Sequence, residues 1–447
     1  MTRLFLAAAN LVFLVSWLQV AQAQEAVSSN SATGSESTGS SDAPSTGTTT
    51  GTSGTTNFGP SAAPGTVSNA PDAATATQAP GGVGVFSPTP IKLYLNVIGG
   101  YDDNVSNTTG GRQGSGYSGG NLILDYTFGD PRLQIVLNAG TGLTYYFSHI
   151  SNQDYDIDLK GAVAITYKQS PRLTLGGSAL VSYLTEPSFQ YAGGINSRNG
   201  NYLYTDDRAF LEYTWSRRFS TRTSYTFEAY KYDNSSVGTF SNRVSNVFGN
   251  EFRLQVVPTT SLIVEYRYGI VSYDNSFLNS QSHYALGGID HTFNPRLSAT
   301  FRGGVEFRSY DNAGDRTGPY FEGKVDYALG RRTSVSWVNR YGIEEPDTPN
   351  AQSRTTFRTG LQTKFALTSK VETSLDVFYV HDDYHALPSG IVGDFSENTF
   401  DTGFSVRYAI NALISMQLGY HYTDVSSGVA FREYSRNRVS GGLSVTF

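Results

Sequence analysis

The stretch HDDYH holds His381, Asp382, Asp383 and His385. These side-chain types ligate zinc or, with a second carboxylate pair, activate water. The stretch reads as a strand running out into a loop, where acids are ordinarily solvated, so no metal is assigned to it. Only six His occur in 447 residues. No Ser–His–acid spacing suggests a hydrolase, so no catalytic residue is assigned and the chain reads as non-enzymatic. The glycines cluster mid-strand without a phosphate-cradling loop, and no cofactor is expected.

A Tyr-Asp-Asn triplet returns at Tyr232, Tyr273 and Tyr310, about forty residues apart, the period of a repeated structural unit. Asp and Asn bond their own backbone and tolerate turn conformations, so each triplet reads as the exit of a strand. The tyrosines are either structural strand ends or an aromatic arc on which sugar rings stack, an apolar face with a hydroxyl being suited to such ligands.

What positions these residues is a two-residue repeat. In YDIDLKGAVAITYK, Tyr155, Ile157, Leu159, Gly161, Val163, Ile165 and Tyr167 alternate with Asp156, Asp158, Lys160, Ala162, Ala164, Thr166 and Lys168. One greasy and one wet face on the same segment is the signature of a half-solvated strand. The wet phase carries Arg222, Glu228, Glu251, Arg253, Glu265, Arg267, Arg302, Glu306, Arg308, Glu322, Lys324, Asp326, Arg358, Asp401 and Arg407. Their signs are mixed, which argues against strong ion selectivity and for cross-strand pairs that stiffen a wall. Tyr232, Tyr273 and Tyr310 share phase with Arg222, Glu265 and Arg308, which turns them to the wet face unless a bulge intervenes.

Composition agrees with an all-β chain: 47 Gly, 30 Tyr and 26 Phe, with only 16% charged residues and no Cys. A net charge of -6 disfavours nucleic acid as a partner. Residues 1–23 read as a signal peptide, with Arg3 before an apolar run and Ala21-Gln22-Ala23 as the cleavage site. Residues 24–90 are Ser, Thr, Gly, Ala and Pro with almost nothing to bury, a disordered periplasmic leader. No later apolar run is long enough for a transmembrane helix.

From 91 to 447 the strands are joined alternately by tight turns, at Gly129, Gln169, Ser216, Val257, Asn294, Gly330, Thr368 and Asn411, and by long polar loops. Aromatics precede the turns at Phe128, Tyr167, Trp215, Phe293, Tyr327, Phe365 and Tyr408, and Phe447 ends the chain. Arg132, Arg172, Arg217, Arg218, Arg296, Arg331, Arg332 and Lys370 occupy the turns themselves. Tyr146, Tyr183, Tyr341, Tyr379 and Tyr422 are candidates for the opposite girdle. Short turns on one side, long loops on the other and an aromatic ring at constant depth predict a transmembrane antiparallel up-and-down β-barrel of about eighteen strands. In lipid such a sheet must close to satisfy its backbone, and a barrel of that size ordinarily encloses an aqueous lumen.

The last strand, RVSGGLSVTF, places Val439, Gly441, Leu443, Val445 and Phe447 on one face. It resembles the C-terminal assembly signal of Gram-negative outer-membrane barrels. GGYDDNV, Gly99 to Val105, resembles the opening of the β-barrel porin 2 type. The resemblance implies the outer membrane as location, lipid and lipopolysaccharide as surroundings, and a barrel assembly machinery engaging the C-terminal strand at Phe447. It permits polysaccharide export with periplasmic partners, and homo-oligomers. The acidic pairs Asp102-Asp103, Asp206-Asp207 and Glu344-Glu345 are expected as solvated loop residues, with lipopolysaccharide-bridging cations as the alternative. The function expected is passive passage of small hydrophilic solutes, saccharides among them; the alternatives are an export barrel and a closed structural or adhesion barrel.

Overall fold

The structure, a computed structural model, describes residues 91–148, 154–185, 200–330, 332–349, 351–387 and 393–447. The expected signal peptide and leader, and Arg331 of the rim, lie outside the described residues. The strands are β1 (Ile91–Asp102), β2 (Ser115–Gly129), β3 (Leu133–Tyr146), β4 (Tyr155–Lys168), β5 (Leu173–Leu184), β6 (Tyr202–Thr214), β7 (Phe219–Tyr232), β8 (Arg243–Val257) and β9 (Thr260–Tyr273). They continue as β10 (Ser280–Asn294), β11 (Leu297–Tyr310), β12 (Arg316–Leu329), β13 (Thr333–Glu344), β14 (Ala351–Ala366), β15 (Val371–Ala386), β16 (Phe395–Ala409), β17 (Ile414–Ser427) and β18 (Tyr434–Thr446). One helix of note, α1 (Ser235–Ser241), follows β7, with Asn234 capping it by accepting from Ser236 N. Among the described residues no helix is long and apolar enough to cross a membrane.

Each strand pairs antiparallel with its sequence neighbours, and β18 returns to β1 with Leu95 opposite Val445 and Asp102 opposite Arg438. The eighteen-stranded sheet is closed, as the alternating turns and loops predict. Closure leaves no strand edge to be satisfied by lipid.

Six tight turns show how the sequence makes them. Asp130 Oδ1 accepts from the backbone N of Arg132 and Leu133 (2.7 and 2.8 Å). Ser170, Ser216 and Thr368 repeat this with hydroxyls, and Asn411 with its amide oxygen. Asn294 makes the first of the two bonds, to Arg296 N. A short oxygen-bearing side chain thus replaces a backbone acceptor across the reversal. Gly330, at φ 75°, supplies the left-handed residue of a turn that lacks such a side chain.

The greasy phase faces outward: Val264 is 65% exposed, and Phe128, Trp215, Phe293, Tyr327, Phe365, Tyr408 and Phe447 form the exposed lower ring. Inside, small apolar clusters lie near the long-loop end. Tyr202, Tyr204, Tyr230 and Tyr232 pack with Leu180 and Leu184, and Tyr117 and Tyr146 pack with Ile98 and Val105. Tyr146 is therefore an inner residue, 1% exposed, and not part of an outer girdle. It shares phase with Asn138 and Thr144 on β3, so alternation turns it inward.

The Tyr-Asp-Asn repeat closes a repeated clip between strands. Asn242, just before β8, accepts from Tyr232 N with its side chain (2.8 Å) and from Asp274 N with its carbonyl (3.1 Å). Asn279, just before β10, does the same for Tyr273 N (2.8 Å) and Asp311 N (3.0 Å). One asparagine thus ties three strands at the outer rim.

Candidate functional site

The wet-phase residues all project inward, and most meet an opposite charge. Arg253 reaches Glu251 (2.5 Å) and Asp290 (3.6 Å); Arg302 reaches Asp290 (2.7 Å) and Glu265 (3.8 Å). Arg267 joins Glu265 (2.5 Å) on its own strand to Glu322 (2.6 Å) on β12. Arg308 pairs with Glu306 (2.8 Å), Lys324 with Asp326 (3.0 Å) and Arg358 with Glu344 (3.2 Å). Arg222 lies over the Phe210 ring at 3.8 Å. Asp401 meets His421 (3.1 Å), and Arg407 donates to Ser415 (3.2 Å). Glu228 lies on the same inner phase of β7.

The pairing differs from a purely cross-strand ladder. Glu251/Arg253, Glu265/Arg267, Glu306/Arg308 and Lys324/Asp326 are neighbours two apart on one strand, which puts both on one face about 7 Å apart. Long arginines then bridge onward to other strands. The result is an ionic lattice of several linked groups spread over β8 to β14.

At the outer mouth the connection after β13 folds inward. Glu345 accepts from Tyr273 Oη (2.5 Å) and from Arg308 Nη1 (2.6 Å) on one side. On the other, Asp347 accepts from Tyr384 Oη (2.8 Å) and from Arg432 Nη2 (3.0 Å to each oxygen). Arg432 belongs to a short 3-10 turn, Ala430–Arg432, between β17 and β18, and also holds Glu397 (2.8 Å). Burial works against its charge, yet Asp347, then Tyr384 and Glu397, hold its pKa well above the ordinary value. The segment EEPD is therefore a strap bound to the inner wall from β9 round to β17–β18. A second clasp closes the β1–β18 seam: Arg436 is bidentate on Asp102, while Asp103 accepts from Asn437 N (2.7 Å) and pairs with Arg112 (2.7 Å).

Several sequence expectations are corrected here. Tyr232, Tyr273 and Tyr310 have the inward phase expected, but they are 3%, 6% and 6% exposed. Tyr232 packs on Tyr202 at 5.5 Å and Tyr273 is engaged by Glu345. Their ring faces are covered, so in this structure they offer no stacking arc. Glu344 and Glu345 are buried ion-pair partners and not solvated loop acids, as is Asp102. Asp206 and Asp207 lie within β6, where alternation sends Asp206 inward to Arg208 (2.7 Å) and Asp207 to the other face. HDDYH is split the same way. Asp382 points inward to Arg354 (3.4 Å) and Thr356 (2.5 Å), while His381 bonds Asn398 (2.8 Å) and His385 bonds Thr355 (3.2 Å) on the opposite phase. Among the described residues no group of three or more His, Cys, Asp or Glu is arranged to hold a metal.

Sequence reasoning missed Arg354, Asp347, Glu397, Arg432 and Arg436. Arg354 and Arg436 were accessible by phase, being in step with Arg358 and Arg438. Asp347 and Arg432 lie in loops, where no periodicity marks which side chain turns inward.

A closed sheet with an apolar skin, an aromatic rim and an ionic interior defines an outer-membrane β-barrel of the porin-like class. The chain belongs to the family described as "Putative beta-barrel porin 2", whose model matches residues 86–447. No curated protein matches it. Solved structures with some likeness include OccAB4 of Acinetobacter baumannii (11% identity, covering 80% of this chain and 99% of that one, TM-score 0.40). Others are OpdK of Pseudomonas aeruginosa (10%, 80% and 99%, 0.40) and the siderophore receptor PirA of the same organism (12%, 81% and 81%, 0.37).

Proposed function

We propose that the protein is a passive channel of a Gram-negative outer membrane for small hydrophilic solutes, with saccharides in the accepted class and no catalysis. The observation that carries this is the inner phase of β8 to β14, where Arg253, Arg267, Arg302 and Arg308 recur with their acidic partners. Fixed ion pairs offer a solute successive polar contacts without a net field, which suits neutral or weakly charged cargo. The strap held by Glu345 and Asp347 sets the width of the outer mouth.

A closed structural barrel is the second reading, favoured by the near-complete burial of the lattice: Arg354 and Glu306 are 0% exposed. Single-channel recording of the refolded barrel in planar bilayers separates the two. Stable openings in potassium chloride, reduced stepwise when maltodextrins are added, are expected of the channel. Silence from protein shown to be folded refutes it and leaves the closed barrel.

A further inference from the structure

The barrel wall parts between β12 and β13 near the outer rim. Their ladder reaches only to Phe321 opposite Tyr341, although β12 extends outward to Arg316 and β13 to Glu344. Carried two residues further, the register would set Pro319 opposite Ile343. Proline has no N–H to give, and Ile343 O is taken instead by Arg308 Nη2 (3.0 Å). β13 leaves the wall here, because the strap that follows it is drawn into the lumen through Glu345 and Asp347. The parting holds a cavity of about 490 Å³, lined by Arg316, Thr317, Pro319, Tyr341, Gln352 and Thr355. Ligand pockets ordinarily measure roughly 300–1,000 Å³. Thr317 and Pro319, on the outer phase of β12, are exposed, so the cavity is reached from outside the barrel.

Its two ends differ in chemistry. Toward the turn end, on the outer skin, Tyr341 stacks on Phe321 at 5.5 Å, and Phe357 lies 6.4 Å from the same ring. Such aromatic side chains sit at a headgroup boundary. Toward the rim, Arg316 belongs to the inner phase and stands directly opposite Arg308. Like charges so placed repel. Arg308 has Glu306 and Glu345, whereas among the described residues no acid forms an ion pair with Arg316. Asp315 also borders the cavity, exposed and unpaired with it. We propose that the parting is a binding site for an anionic lipid of the outer leaflet, with its phosphate-bearing head on Arg316 and its hydrocarbon chain on Pro319, Tyr341 and Phe321. A soluble anion uses Arg316 alone, and a neutral lipid uses the aromatic floor alone; a lipid of this charge uses both. The site lies in the wall and does not depend on whether the lumen conducts.

The test uses full-length mature protein in dodecyl maltoside, with folding of each variant shown by heat-modifiable gel mobility. Dodecyl phosphate is the probe. Dodecylphosphocholine has the same chain without net charge, and inorganic phosphate has the charge without a chain. Binding is read by native mass spectrometry. Expected is one dodecyl phosphate retained per chain, held about tenfold more tightly than dodecylphosphocholine, as one charge-assisted bond supplies. Arg316→Gln should erase that difference. Gly314→Trp fills the cavity from its border, where an added Cβ meets nothing within 4 Å, and should remove both lipids. Equal affinity for the two lipids in wild type overturns the proposal, as does unchanged binding in either folded variant. Displacement of the bound lipid by inorganic phosphate assigns Arg316 to a soluble anion and overturns the lipid site. The wild-type comparison decides the matter if a variant does not fold.

Discussion

The mouth strap is open to a direct test through Asp347. Its carboxylate is fully buried and takes two contacts from Arg432 and one from Tyr384. Asp347→Asn keeps the shape but removes the charge and turns one of the two oxygens that accept from Arg432 into an amino group, so one charge-assisted contact and the ion pair are lost. Arg432 keeps Glu397, so the full cost of an orphaned buried cation does not arise. The loss should be near that of one charge-assisted bond, about 2–3 kcal/mol, or about 30- to 150-fold in the strap's opening equilibrium. The chain has no Cys, which allows a clean reporter. Ala351, 1% exposed at the start of β14 and bonded through its N to Thr348 O at the end of the strap, becomes Cys with little change in volume, and lifting of the strap should expose its thiol to a maleimide. In the regime where reclosing outpaces labelling, the rate follows the opening equilibrium. Ala351→Cys/Asp347→Asn should therefore label about 30- to 150-fold faster than Ala351→Cys alone. Rates within twofold of each other would show that the strap is held by something other than Asp347.

Two further outcomes concern the rim. At the seam, Asp102→Asn removes the carboxylate on which the buried Arg436 guanidinium is bidentate and should cost about 3–5 kcal/mol, read by urea unfolding in micelles. Asp102→Leu/Arg436→Met should recover most of that, and a double variant no better than the single would refute the ion-pair account. For Asp274, the hydrogen bond from Asn242 and the nearby Lys231 hold the carboxyl below the ordinary 3.8. A carboxyl lowered on folding stabilises above its unfolded pKa, and that contribution is lost as pH falls through the folded value. Hydrogen exchange in α1 and the β7–β8 connection should therefore accelerate below about pH 4, and Asp274→Asn should abolish that acceleration.

The sequence by itself determined the barrel. Alternation fixed which side chains face inward, oxygen-bearing residues at the reversals fixed the tight turns, and aromatics ahead of them marked the membrane boundary. These are local properties, set by a two-residue period and by bonds within a few residues, so they can be read without knowing what lies opposite. Phase also turned Tyr232, Tyr273 and Tyr310 inward. It carried no information on what covers them. Only the tertiary structure decided that Glu345 reaches Arg308 and that Asp347 meets Arg432. Such contacts join residues far apart in the chain, through loops without periodicity or through closure of the barrel. Their existence depends on which side chains curvature and register bring together across the interior.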